Sequence, residues 1–129
     1  MKLPRLCDQR TVRMAGALRK RYHGRLDGAR IIYAFVGERD GAAPDDVAWT
    51  ILPSGATALV APADYLVELL WPAWATWSTA QRRAVLDHEL SHAIPIIGAD
   101  GVRRGWGLRD HDVAEFAAVV ERHGASCIV

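Results

Sequence analysis

The chain carries His88-Glu89-Leu90-Ser91-His92 inside a segment built to be helical, and no other feature constrains its fold as strongly. Four residues along an α-helix advance about 400°, so His88 and His92 project from one face, about 40° apart. Two imidazoles one turn apart can hold a single metal ion without moving the backbone. Glu89 stands at the edge of that pair, where its carboxylate can take a proton from a metal-activated water rather than bind the ion. On a strand or loop the same string would be two surface histidines, so the flanks decide. Ser78-Thr79-Ala80-Gln81 has the form of a capping box, in which the Ser hydroxyl and the Gln side chain satisfy backbone N–H groups at a helix start. Ala80, Ala84, Val85, Leu86, Leu90 and Ala93 then supply a broad apolar surface and good helix formers. Pro95 cannot donate to the helix ladder and disfavours helical geometry at Ile94. The spacing predicts a helix of about 16 residues with the motif in its last turns.

Length and composition bound the rest. At 129 residues the chain is expected to be a single domain, residues 1–129, able to bury a core without staples. Apolar content of 50% with 24% charged residues is that of an ordinary globular chain. The longest apolar stretch, Leu66 to Ala75, is broken by Glu68 and Pro72, so no membrane span is expected. The first residues lack the apolar core of a signal peptide, which makes a cytoplasmic location the expectation. Cys7 and Cys127 lie near opposite ends without partners at ligand spacing, which excludes a Cys₄ or Cys₂His₂ structural zinc site. The net charge of +1 hides a segregation: residues 1–30 hold nine Lys/Arg against Asp8 and Asp27, a net +7, which leaves −6 on the remainder. Much of the basic block (Arg10, Arg13, Arg19, Lys20, Arg21) falls in a predicted helix from Gln9 to Tyr22. Its two readings are a solvated face complementing an acidic body and a nucleic-acid contact, with Tyr22 the aromatic among the charges.

After that helix, Arg30 to Val36 reads as a strand and 37–46 as a polar loop. Val47 to Leu52 and Ala56 to Ala61 read as two short strands joined at Pro53-Ser54-Gly55. Pro62-Ala63-Asp64 is expected to open a short helix through Leu70, and Trp71, Trp74 and Trp77 to pack the core ahead of the motif helix. A glycine-rich loop from Gly98 to Gly107 should lead to a last helix stopped by Gly124. This order gives an α+β fold, about three strands packed on the motif helix and a C-terminal helix. An edge strand beside the motif helix could hold an extended peptide, and Ala56 to Val60 is the predicted one.

A catalytic zinc ion takes three protein ligands and keeps one open position. Candidates for the third cluster in Asp110-His111-Asp112-Val113-Ala114-Glu115-Phe116. His111 is the first choice, because a third neutral imidazole leaves the site net positive and able to acidify a bound water. Asp112 and Glu115 are the alternatives; as Asp-x-x-Glu they also match a helix-start capping box, and either could accept a hydrogen bond from a ligand's second N–H. The metzincin pattern fails, since Pro95 and Gly98 stand where Gly and His are required and no Met follows Met14.

The run Gln81-Arg82-Arg83-Ala84-Val85-Leu86-Asp87-His88-Glu89-Leu90-Ser91-His92, followed by His111-Asp112-Val113-Ala114-Glu115-Phe116 and Glu121-Arg122-His123-Gly124, resembles the phage-type metallopeptidase domain. That family pairs a HELxH helix with a later HDxxEF segment and a terminal R-x-G. The likeness is strong over the C-terminal third and looser over the strands before it. The chain is also similar to SprT-like zinc proteases, where a third His follows in an HGxxF-like segment; here Asp112 replaces that Gly, and their zinc-ribbon cysteines have no counterpart. Both resemblances imply a small zincin-like domain and a Zn²⁺-dependent peptidase acting on peptides or proteins, with His88, His92 and His111 as ligands and Glu89 as base. Tyr33, Tyr65, His123 and the pair Arg103-Arg104 are candidate oxyanion donors. The expectation from a different class is a nucleic-acid-associated module that uses zinc structurally and binds through the basic helix. Glu89 argues against it, because a structural site has no use for a base.

Overall fold

Asp8 opens the first helix by accepting a hydrogen bond from the Thr11 N–H, and the Thr11 side chain together with that N–H holds its carboxyl below the usual range. The computed structural model of the chain describes residues 2–43, 45–60, 62–111 and 117–124. A short strand β1 (Arg5–Leu6) precedes helix α1 (Gln9–Tyr22), whose buried face is Thr11, Ala15 and Leu18. A single 3₁₀ turn over Gly24–Leu26 follows, pinned by Arg19, which donates to the carbonyls of Leu26 and Ala29 at 2.5 Å each. Strand β2 (Ile31–Val36) and strand β3 (Ala48–Ile51) lie where β-branched and aromatic residues predict them.

Two segments differ from expectation. The segment predicted as a strand over Ala56 to Ala61 is a short helix, α2 (Gly55–Val60), with Leu59 and Val60 more than four-fifths exposed. Alanines at 56 and 58 favour helix, and among the described residues no strand pairs with this segment to override them. The segment predicted as a helix through Leu70 is strand β4 (Tyr65–Leu70). Its Tyr65, Val67 and Leu69 are buried while Leu66, Glu68 and Leu70 are half-buried, a period of two that its leucines had masked. β4 is an interior strand, parallel to β2 and antiparallel to β3, in a four-stranded sheet of order β1-β2-β4-β3. The sheet thus has one strand more than expected, and β3 rather than residues 56–60 is its edge beside the motif helix.

Helix α3 (Trp71–Trp74) continues from β4, and Trp74 is buried with its ring 6.1 Å from Phe35, while Trp71 meets Phe35 edge-on at 4.9 Å. These tryptophans are core packing, as their size predicts. Helix α4 (Thr79–Ser91) carries the motif, and both bonds of its Ser78–Gln81 capping box are present. It ends three residues earlier than predicted, with His92 still in helical geometry as its cap. The chain then enters β5 (Ala93–Ile97), which pairs antiparallel with β6 (Arg103–Leu108) as a two-stranded ribbon. The predicted loop over Gly98 to Gly107 is therefore largely a hairpin; Gly101, at φ +79, makes its turn. Helix α5 (Ala117–His123) follows, with Gly124 at φ +77 stopping it as expected. Burial pushes the Cys7 thiol up to about 12, which leaves it unreactive; Cys127 lies outside the described residues. No helix among the described residues is long and apolar enough to cross a membrane.

Candidate metal centre

Helix α4 is buried on nearly every side: Ala84, Val85, Leu86, Asp87, Glu89, Leu90 and Ser91 are all inaccessible, while His88 and His92 stay half-exposed on one strip. The two Nε2 atoms face each other 3.2 Å apart, as a one-turn separation requires. The hairpin supplies the third imidazole. Where β6 runs out, the Arg109 N–H donates to the His92 carbonyl at 2.7 Å, and the Arg109 Nε–H donates to the Ser91 carbonyl at 2.6 Å. The strand end is thereby tied to the helix end, and His111 follows two residues later. Its Nε2 lies 3.0 Å from that of His88 and 3.1 Å from that of His92.

The donor set fits a cation. His92 Nδ1 lies 2.8 Å from the Arg109 carbonyl oxygen, which can only accept, so the proton of a neutral His92 sits on Nδ1. Its Nε2 is then a bare lone pair turned towards two other imidazole nitrogens. Three nitrogens on one tetrahedral zinc at ~2.0–2.1 Å would stand about 3.3 Å apart, close to the spacings here. Together His88, His92 and His111 form a group whose ligand atoms lie within 4.8 Å of one another and could hold one metal ion. Exposed His111 leaves the group open to solvent. Asp112 and Glu115, the alternative third ligands, lie outside the described residues.

Glu89 is 5% exposed, and its Oε2 is 3.8 Å from His88 Nε2, beside the three nitrogens rather than among them. Its other oxygen is held from the sheet: the Thr50 hydroxyl on β3 lies 2.9 Å from Oε1 and 3.0 Å from the Glu89 carbonyl oxygen. Thr50 was not a sequence candidate. Its signal is non-local, because nothing in Ala48–Ile51 says which residue will face the motif helix.

Behind the triad sits a second cluster that the sequence reading did not single out. Asp87, wholly buried, accepts from His23 Nε2 at 2.6 Å, from Arg122 Nε and Nη2 at 2.7 Å each, and from His123 Nε2 at 2.8 Å. Burial alone would raise this carboxyl, but the hydrogen bonds from His23, Arg122 and His123 outweigh it and hold it far below the usual range. Arg25 Nη1 lies 2.8 Å from His23 Nδ1; a guanidinium can only donate, so His23 is neutral with its proton on Nε2. Burial accordingly lowers the His23 pKa. The same Arg25 donates to the Ala93 and Leu90 carbonyls at 3.0 Å each, on the turn that leaves α4. One sequence signal did exist: an acid set directly after Ala84-Val85-Leu86 must be paired if buried.

The candidate oxyanion donors are engaged elsewhere. Tyr65 donates to the carbonyls of Ile94 and Gly107, Tyr33 is buried in the core, His123 serves Asp87, Arg103 stacks on Trp106, and Arg104 pairs with Asp100. The family model described as putative phage metallopeptidase matches residues 6–129. No curated protein and no solved structure matches the chain.

Proposed function

The chain belongs to the phage metallopeptidase family, and on that footing we propose that it hydrolyses peptide bonds with a zinc ion held by His88, His92 and His111 and with Glu89 as general base. One observation carries this reading: three imidazole nitrogens 3.0–3.2 Å apart, with a nearly buried carboxylate beside them. Zinc bound there would supply a Lewis acid that polarises the peptide carbonyl and acidifies the attacking water. Every other part falls to the chain. His92 is fixed in tautomer and orientation by the Arg109 carbonyl, so its Nε2 lone pair stays turned towards the other two imidazoles, which with it would hold the ion. Glu89 takes the water's proton as the water attacks and hands it to the leaving amine nitrogen. Thr50 holds that carboxylate in place. Edge strand β3 brings Thr50 to the site, and it is the strand against which an extended peptide or protein segment would lie by adding a strand to the sheet.

Metal content by mass spectrometry, measured alongside peptide-library cleavage, tests this. Glu89→Gln should keep its zinc and lose about 10²–10⁴-fold in turnover. His111→Ala should lose zinc. Wild-type turnover in the first variant would remove Glu89 as base, and wild-type zinc occupancy in the second would remove His111 as ligand.

A further inference from the structure

The basic helix, which the peptidase site does not use, lines a groove on another part of the surface. Arg10, Arg13, Met14, Ala17 and Arg21 fall on one face of α1, and they form one wall of a cavity of about 410 Å³. The other wall comes from Thr79 and Arg83 of α4 and His123 of α5. Four guanidinium groups from two helices therefore border one depression, and among the described residues no acidic one lines it. Arg13 bonds the uncharged Gln9 side chain, and Arg21 lies over the Tyr22 ring at 5.2 Å. Among the described residues none of the four makes an ion pair, although Arg39, Arg104 and Arg122 each find a carboxylate. A merely solvated helix face would not need Arg83 brought in from a second helix. Like charges gathered around a concave surface repel one another unless an anion joins them.

We propose that this groove binds single-stranded nucleic acid, with phosphates on the four arginines and bases against the floor. Arg10 and Arg21 are about 16 Å apart along the helix axis, a span that a phosphodiester chain meets with a charge on every residue. An acidic peptide would match it only with unusually dense carboxylates. Planar guanidinium forks suit phosphate oxygens. Between the arginines lie Met14, Ala17 and Tyr22, whose ring is already met by Arg21 at 5.2 Å and Arg122 at 4.1 Å, so the floor offers bases apolar contact rather than an open stacking face. The surface is separate in composition from the histidine triad, so this binding does not depend on the peptidase reading.

The test is fluorescence anisotropy of the intact protein with a labelled 12-nucleotide oligo-dT, at 50 and 200 mM NaCl. With about four phosphates neutralised, affinity should fall about 50-fold between these salts. Arg13→Glu with Arg21→Glu should weaken binding at least tenfold at 50 mM NaCl and at least halve the salt slope, with an unchanged circular dichroism spectrum. Should that pair fail to fold, Arg10→Gln with Arg83→Gln removes charge without reversing it and should still weaken binding. Arg103→Glu with Arg104→Glu, on the β5–β6 hairpin, makes the same charge change away from the groove and should bind within twofold of wild type. No binding by the wild type at 50 mM NaCl, or equal loss in the hairpin variant, overturns the proposal. Poly-glutamate binding as tightly as the oligonucleotide would also overturn it, and would assign the groove to an acidic protein instead.

Discussion

Thr50 and Glu89 meet through a single hydroxyl. A carboxylate on a helix has rotamer freedom, and as a base it is useful only while its lone pair faces the attacking water. The Thr50 hydroxyl, 2.9 Å from Oε1, removes that freedom from across the sheet–helix boundary. Thr50→Val keeps the shape and deletes the hydrogen bond. It should lower kcat about 10- to 100-fold with KM and zinc content unchanged, and Thr50→Ser should recover most of the loss. Wild-type kcat in the valine variant would show that packing alone positions Glu89. His92 follows the same logic, since the Arg109 carbonyl fixes which of its nitrogens carries the proton.

Helix α4 does two jobs at the scale of the element. One strip presents the histidines, and the buried remainder is anchored through Asp87 to the His23 turn and to α5. This clamp joins segments 64 and 36 residues away from Asp87 in the chain. Asp87→Asn would leave Arg122, itself one-fifth exposed, facing a buried amide instead of a carboxylate. Breaking a buried pair from one side costs about 3–5 kcal/mol. Urea unfolding of the metal-free protein should register a loss of that size, and a loss below about 1 kcal/mol would mean the clamp is not structural. The strands divide by whether their pattern is local. β2 announces itself by composition, whereas β4 reads as helix until β2 and β3 flank it, because leucine serves both structures and only pairing decides.

The whole molecule inherits a pH dependence from the clamp. Burial holds His23 below its ordinary value of about 6.5. Between its folded value and 6.5 the unfolded chain therefore binds a proton that the native chain refuses. Stability is then greatest above pH 6.5 and falls as the pH drops through that window. Asp87, held far below the usual carboxylate range, stays ionised throughout it, so its own contribution is lost only at much lower pH. Thermal midpoints of the metal-free protein, recorded from pH 8 to pH 5, should decline more steeply for wild type than for His23→Gln. Parallel curves would locate the titrating group elsewhere.

What is local can be read along the chain: the capped helix with its paired histidines, the helix Gln9–Tyr22, strand β2 and the glycine stop after His123. The sequence also offered His111 as a candidate, with Asp112 and Glu115 beside it, because a ligand cluster downstream of the motif is visible as composition. The tertiary structure alone decided that β4 is an interior strand, that β5 and β6 form the hairpin delivering His111, and that Thr50 meets Glu89. It also decided that Asp87 gathers two histidines and an arginine. The division has a physical cause. Capping and helical periodicity act between residues three or four apart, so they can be read along the chain. Strand pairing and buried charge compensation act between residues far apart in sequence, and they exist only once packing has chosen their partners.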